Sequence, residues 1–504
     1  MSKIIVIGGG AAGCVLAGRP CEKQSLDVHL LEAGPDYPEA RPADLLDGTR
    51  NSYVKHDWGF KHRPTTTQVK FPLPRGRVVG GSSAVNTCIA LRGEPSDYDE
   101  WGLPGFKFSE CLPYFKKLEN DLDYEALPTR KFHGNRGPLP VRRHTPEELT
   151  TWSKAYLQAC KDYGFDMCED FNAPGAGGYA PHAMNKVQNR RVSCASAYLD
   201  NKVRARENLK ISGNALVHRL VIKNRKVMAV EVEQNGQLKT IEADVFVLAA
   251  GAIQSPGVLL RSGIGSSRDL ARLGVEEKIR LEGVAARLLD HPGVAIFFRR
   301  KWGSGGDRND PVIQVALRYS SNLTGIPNDM LLQPGSKGMF PYFNLPIYSI
   351  MASIGKPFGF GSIKFTSADP RAKPIVNSML LENKDDRKMA VDAMRLAYSL
   401  SQQPSMARLG SLIYPSYQTI SNKTRLEEKI RQICDSGYHP CGTAPMGKDN
   451  DELACCNERG HVRKTENLVL ADASIMPTIP VANIHLTTIM IAEKISDYIK
   501  ADFT

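Results

Sequence analysis

The first 32 residues constrain this chain more than any other stretch. Ile4-Ile5-Val6-Ile7, four residues that favour extended backbone, run straight into Gly8-Gly9-Gly10-Ala11-Ala12-Gly13. Small residues up to Ala17 follow and read as a helix. Val28 to Glu32 then reads as a second strand, ending in an acid 19 residues after Gly13. Strand, Gly-x-Gly-x-x-Gly, helix, strand and acid in this register are the pattern of a dinucleotide-binding βαβ unit. Gly8 allows the tight turn, Gly10 lets backbone approach a pyrophosphate, and Gly13 lets helix and strand pack closely. The phosphates are expected on the helix N-terminus, where free N–H groups and the dipole favour an anion. Glu32 can accept from ribose hydroxyls and argues against a 2′-phosphate. The stretch by itself leaves FAD and NAD both open.

A chain of 504 residues, 42% hydrophobic and 24% charged, is long enough for two domains or one elaborated domain. No window approaches ~18 unbroken apolar residues, so no membrane span is expected. The apolar start is needed as strand and loop, so no targeting peptide is read there, and a cytoplasmic location is expected. The net charge of +11 is dispersed, with Arg190-Arg191 and Arg204-Ala205-Arg206 its densest spots. It suits a solvated basic surface, and no nucleic-acid motif accompanies it. The 11 cysteines form no C-x-x-C and no zinc-like spacing with histidine. Reduced thiols and no metal are the expectation.

Along the chain, residues 36–74 look irregular. The loop Arg75-Gly76-Arg77-Val78-Val79-Gly80-Gly81-Ser82-Ser83-Ala84-Val85-Asn86 is dense in backbone donors and can wrap a phosphate or polar ring. A plain turn with Ser82 or Ser83 capping a helix is the simpler alternative. Helices are expected at about 108–119, 146–164, 193–203, 384–401 and 484–500, with another opened by Gln254-Ser255-Pro256. Val245 to Leu248 is an unbroken apolar run ending at Ala249-Ala250-Gly251, which suits a buried parallel strand delivering backbone to a ligand. From about 292 to 435 strand-like segments alternate with Pro/Gly loops, which reads as a second domain whose sheet covers the first.

The Arg77–Asn86 stretch and Gly251-Ala252-Ile253-Gln254-Ser255-Pro256 through Ser262-Gly263-Ile264-Gly265 resemble the two signatures of the glucose–methanol–choline oxidoreductases. Asp290-His291-Pro292, His439-Pro440-Cys441-Gly442-Thr443 and Asp472-Ala473-Ser474-Ile475-Met476-Pro477 through Asn483 follow in the order that family has them. The resemblance implies an α/β fold, with a Rossmann-like FAD-binding domain at 1–145, 190–291 and 440–504. An antiparallel-sheet substrate-binding domain would take 146–189 and 292–439. It implies oxidation of a primary alcohol, aromatic or heteroaromatic, to the aldehyde. Hydroxymethylfurfural, aryl-alcohol and pyridoxine oxidases are the nearest patterns. It also implies hydride transfer to flavin N5, with dioxygen or another carrier as the final acceptor. A hydroxynitrile-lyase-like activity on the same fold is the alternative, and a non-catalytic flavin-binding protein a third reading.

The same resemblance implies the FAD contacts. These are Gly8, Gly10, Ala11, Ala12, Gly13, Glu32 and Ala33 for the ADP half, with Val217 at the adenine. Asn86, Thr87 and Ile89 would lie under the isoalloxazine, Asp472 would support the ribityl or pyrophosphate, and Val79, Gly81 and Ala473 are further cofactor contacts. Some relatives tether flavin through a His where this chain has Val85, so FAD is expected to be noncovalent. The family's Gly-x-Asn before the Asp-His motif is replaced by Ala286-Arg287.

Alcohol oxidation needs a base for the hydroxyl proton, which a histidine supplies near neutral pH. His439 is the expected base, and Asn483 the expected partner that holds the substrate oxygen. An N-cap role for Asn483 competes. Tyr438 and His485 are expected in the substrate pocket, where packing against core is the rival reading for each. Cys441 is expected to be packing only.

Overall fold

The computed structural model describes residues 1–307, 309–339 and 343–503. The fingerprint folds as strand Ser2–Ile7, helix Ala11–Gly18 and strand Leu26–Leu31. These strands lie inside a five-stranded parallel sheet. Its order is Leu209–Ser212, Leu26–Leu31, Ser2–Ile7, Val245–Leu248 and Leu468–Leu470. Ile4 to Ile7 and Val245 to Leu248 are all buried, as unbroken apolar runs must be when both faces of a parallel sheet are covered.

The last helix, Ile484–Asp502, packs along Ala11–Gly18. Glu493 of that helix is fully buried and accepts from Arg19 Nη2 at 2.7 Å and from the Tyr198 hydroxyl at 2.8 Å. A carboxylate is tolerated there because it is paired with Arg19 and also with Lys117 Nζ at 3.2 Å.

A seven-stranded antiparallel sheet stands over this layer. Its order is Gly410–Tyr414, Pro292–Arg300, Tyr348–Ile354, Met330–Gly335, Val315–Tyr319 and Gly178–Pro181, with Asp435–Ser436 paired beside Pro292–Arg300. The period-two alternation of strands divides its faces. Val294, Ile296, Phe298, Leu332, Ile350 and Ala352 join a core with helices Thr151–Tyr163 and Lys384–Ser401. The alternate residues Leu331, Gln333, Met351, Ser353 and Gly355 turn to the opposite side and line a cavity. That cavity lies where the parallel strands end. Gly8, Glu32, Ala249 and Asp472, all just past strand ends, line it too. Carboxyl ends of parallel strands are where open α/β sheets bind ligands.

Several elements depart from the sequence reading. Residues 36–74 are not wholly irregular. Phe60–Arg63 and Phe71–Leu73 pair in a four-stranded sheet with Ile375–Asn377 and Ser362–Lys364, pieces too short for periodicity to register. The expected helix at 146–164 begins at Thr151, because Pro146–Glu148 forms a separate 3₁₀ turn. The helix expected at 193–203 is broken into Cys194–Tyr198 and Asn201–Arg204, since Asp200 caps the second piece by accepting from Val203 N. The helix placed at Gln254 starts earlier, at Gly251, which leaves Pro256 inside it. Neither serine of the glycine loop caps its 3₁₀ turn Gly81–Ala84. Ser83 Oγ donates to Gly80 O, and Ser82 Oγ accepts from Gly76 N. No helix among the described residues is long and apolar enough to cross a membrane.

Candidate active site

At one end of the cavity the fingerprint glycines are required by contact. A Cβ on Gly13 would lie 1.8 Å from Gly8 O, and one on Gly81 would lie 2.7 Å from Gly10 Cα. Helix Ala11–Gly18 therefore sits against its strand, and the 80–86 loop sits against the fingerprint. Glu32 is buried, and its oxygens accept from Gly9 N at 2.8 Å and Gly34 N at 2.7 Å. Burial pushes its carboxyl up to about 7, against the pull of those two donors.

Two helices begin on this cavity with no side chain capping them: Ala11–Gly18 after Gly10, and Ile484–Asp502 after Asn483. Their free N–H groups and dipoles favour negative charge. A third helix, Gly251–Arg261, starts here as well, but Asp472 Oδ2 accepts from Gly251 N at 2.8 Å and from the Ser255 hydroxyl at 2.5 Å. Asp472 Oδ1 accepts from Ser474 N at 2.7 Å, so both of its oxygens are engaged with protein.

At the other end lie the histidines. Asp290 is buried and accepts from the backbone N–H of His439 at 2.9 Å, while Ser436 Oγ accepts from Tyr438 N at 2.7 Å. These bonds hold the 436–439 turn. Tyr438 takes left-handed backbone there (φ 63°), and its hydroxyl donates to Asp435 Oδ2 at 3.0 Å. His439 Nδ1 is 2.9 Å from His291 Nδ1, and His439 Nε2 is 2.9 Å from Asn483 Nδ2. His291 Nε2 is 2.9 Å from Pro480 O.

A carbonyl can only accept, so the bonds must run one way. His291 Nε2–H donates to Pro480 O, which leaves His291 Nδ1 as an acceptor. His439 Nδ1–H then donates to His291, and the Nε2 lone pair of His439 faces the cavity and accepts from Asn483. Both rings stay neutral. Burial lowers His291 to about 4. Burial, His291 and the Arg75 charge hold His439 well below the usual imidazole value. In this arrangement a neutral imidazole presents an unprotonated Nε2 to the cavity.

The cavity gathers Gly8, Gly10, Ala11, Ala12, Glu32, Ala33, Gly81, Asn86, Thr87, Ile89, Val217, Asp472 and Ala473 together with Tyr438, His439, Asn483 and His485. Gly13 and Val79 stay outside it. Gly13 packs on Gly8 O, and Val79 N donates to Pro35 O at 3.0 Å. Asn483 makes no side-chain cap bond, so the N-cap alternative fails for its side chain. His485 faces the cavity with Nε2 unpartnered. Cys441 is buried, and all 11 cysteines are free and buried. Sequence reasoning gave His291 no role, although its motif was visible, and passed over Arg75, Arg261 and Gln333, which also line the cavity.

Glycine contacts that bring backbone to the cavity, a buried carboxyl group just past a strand end and two uncapped helix N-termini together suit a dinucleotide. Models of the GMC oxidoreductases match residues 2–293 and 357–492. The chain belongs to the GMC oxidoreductase family. It is 33% identical to 5-(hydroxymethyl)furfural oxidase of Methylovorus sp. (strain MP688), covering 98% of each chain. It is 30% identical to oxygen-dependent choline dehydrogenase of Photobacterium profundum, covering 98% of this chain and 92% of that one. Among solved structures, pyridoxine 4-oxidase from Mesorbium loti superposes with a TM-score of 0.90 at 26% identity, over 99% of both chains.

As a GMC oxidoreductase this is a FAD-dependent enzyme that acts on CH–OH donors. Val85 is buried and offers no nucleophile where some family members tether the flavin, which fits noncovalent FAD. Arg287, which stands in place of the family's Asn, donates to the Gly442 and Pro477 carbonyls and so holds protein segments together.

Proposed function

We propose that this GMC oxidoreductase oxidises a primary alcohol on an aromatic or heteroaromatic ring to the aldehyde, with His439 as general base. The layer formed by 1–145, 190–291 and 440–504 would hold FAD, and that formed by 146–189 and 292–439 would cover the substrate. Bound FAD supplies the hydride acceptor. Gly8, Gly10 and the N-terminus of Ala11–Gly18 would hold its pyrophosphate, and Glu32 a ribose. The N-terminus of Ile484–Asp502 would stabilise negative charge on its ring.

The observation that carries the reading is the chain of contacts from Pro480 O through His291 and His439 to Asn483, which supports a single tautomer of His439. A substrate hydroxyl entering between His439 and Asn483 replaces one hydrogen bond with two. It donates to His439 Nε2 and accepts from Asn483 Nδ2. His439 then takes the hydroxyl proton, and its positive charge is shared through Nδ1–H with His291. Dioxygen as the final acceptor fits the oxidases among the relatives. An apolar wall of Ile313, Leu331 and Met351 suits a ring in the substrate.

The test is His439→Ala. The variant should bind FAD and stay yellow, yet bleach anaerobically with a benzylic alcohol at least ~10²-fold more slowly, the usual worth of a general base. Bleaching at the wild-type rate refutes the base assignment. Admitting air and assaying peroxide then identifies the acceptor.

A further inference from the structure

On the sheet that roofs the cavity, four of the five inward positions named above are ordinary: Leu331, Met351, Ser353 and Gly355. The fifth, Gln333, is only 3% exposed, lines the cavity, and has a carboxamide Oε1 without a partner. Behind it, outside the cavity, lies His182, fully buried with both ring nitrogens unpartnered. His182 lies against the Gln333 amide but without a hydrogen bond of good geometry to it. Burial lowers His182 to about 3, so it is a neutral ring with one N–H to give.

Unpartnered buried polar atoms are costly, and two adjacent residues carrying them in one wall call for an explanation. One hydrogen bond from His182 N–H to Gln333 Oε1 satisfies both residues in part. It leaves the amide N–H of Gln333 as a donor facing the cavity.

Strand register places this donor relative to His439. Gly355 lies beside Val481 and His291, at the reacting end. Gln333 pairs with Met351, four residues back along Tyr348–Ile354 from Gly355. At ~3.3 Å per residue that is about 13 Å of strand. The intervening wall is mainly apolar, from Ile313, Leu331 and Met351, with the Ser353 hydroxyl between Met351 and Gly355 on the same strand.

We propose that Gln333, positioned by His182, is a specificity residue that donates a hydrogen bond to an acceptor on the substrate at the end remote from the oxidised carbinol. The substrate class is then an elongated aryl alcohol bearing an ether, carbonyl or hydroxyl oxygen, or a ring nitrogen, across the ring from its CH₂OH group. This rests on the alcohol-oxidation reading and narrows it.

The probes are 4-methoxybenzyl alcohol and its near-isostere without an acceptor, 4-ethylbenzyl alcohol. The ratio of their kcat/KM values is compared between wild type and Gln333→Leu, so electronic effects of the substituent cancel. In the variant, kcat/KM for the methoxy probe should fall about 10-fold while the ethyl probe changes less than about twofold, the size of one hydrogen bond. The loss should appear mainly in KM. Gln333→Met serves as the second apolar variant should the leucine disturb packing. The same pair as aldehydes, titrated into the resting holoenzyme and followed by flavin absorbance, gives the preference without turnover. A ratio unchanged by either variant, or both probes weakened alike, overturns the proposal. A holoenzyme that neither alcohol bleaches overturns the aryl-alcohol reading instead, and the aldehyde titration still decides the role of Gln333.

Discussion

Replacing His291 with leucine removes the acceptor for His439 Nδ1–H and fills the ring's place with an apolar side chain. The buried N–H is then orphaned at a cost of ~1–3 kcal/mol. His439 escapes that cost by moving its proton to Nε2, where Asn483 can turn its unpartnered Oδ1 to accept it. That tautomer cannot take a proton from substrate. The competent form becomes the minor one by ~1–3 kcal/mol, which is roughly 5- to 150-fold in rate at 1.36 kcal/mol per decade. The assay is anaerobic stopped-flow reduction of the flavin at saturating alcohol, with FAD content and thermal unfolding as controls. His291→Asn supplies the control for chemistry, because its carboxamide oxygen can stand in for Nδ1 as an acceptor. It should recover to within about 10-fold of wild type. A leucine variant that holds FAD and reacts within twofold of wild type refutes this tautomer role for His291. It is equally refuted if asparagine is as slow as leucine.

Further outcomes follow from the same geometry. Asn483→Ala should cost no more stability than its one bond to His439, ~0.5–1.5 kcal/mol, since no cap bond is lost, while slowing flavin reduction ~10²-fold; a stability loss without a rate loss would return Asn483 to a structural role. Because His439 sits well below 6.5, its base form is present at neutral pH and is lost only as pH falls through the depressed value, so kcat/KM should be flat around neutrality and drop in acid. Gly13→Ala puts a methyl 1.8 Å from Gly8 O and should yield protein that purifies without FAD or does not fold, measured by flavin-to-protein absorbance. His133 is buried and bonded to Asp121, Asp170 and Glu119, which raise it from 6.5 to about 10; its contribution to stability is complete below 6.5 and is lost as pH rises toward 10, so denaturation midpoints should fall across that window and His133→Gln should flatten the fall.

What could be read from the sequence depended on range. Strand Ser2–Ile7, helix Ala11–Gly18 and the Glu32 carboxylate were legible because their determinants are local: an apolar run, glycine spacing and an acid at a set offset. Helices Lys384–Ser401 and Ile484–Asp502 were legible for the same reason, through periodicity. His439 and Asn483 could be nominated from motifs, 44 residues apart. Misread elements were those decided by one capping side chain, as at Asp200, or by pairing too short to show, as at Phe60–Arg63.

By itself the sequence determined that strand Ser2–Ile7 would run into a closely packed glycine-rich turn, because only glycine permits contacts as close as Gly13 to Gly8 O. It also supplied the residue types for alcohol chemistry. Only the tertiary structure decided which nitrogen of His439 carries the proton. That depends on the Pro480 carbonyl and the His291 ring, 41 residues after and 148 before it in the chain. A hydrogen-bond chain has a direction only once its terminal acceptor is in place, and no spacing in the sequence encodes that. The orphaned amide of Gln333 is of the same kind. A glutamine in a strand looks like any other until the fold removes its water and leaves it facing the cavity.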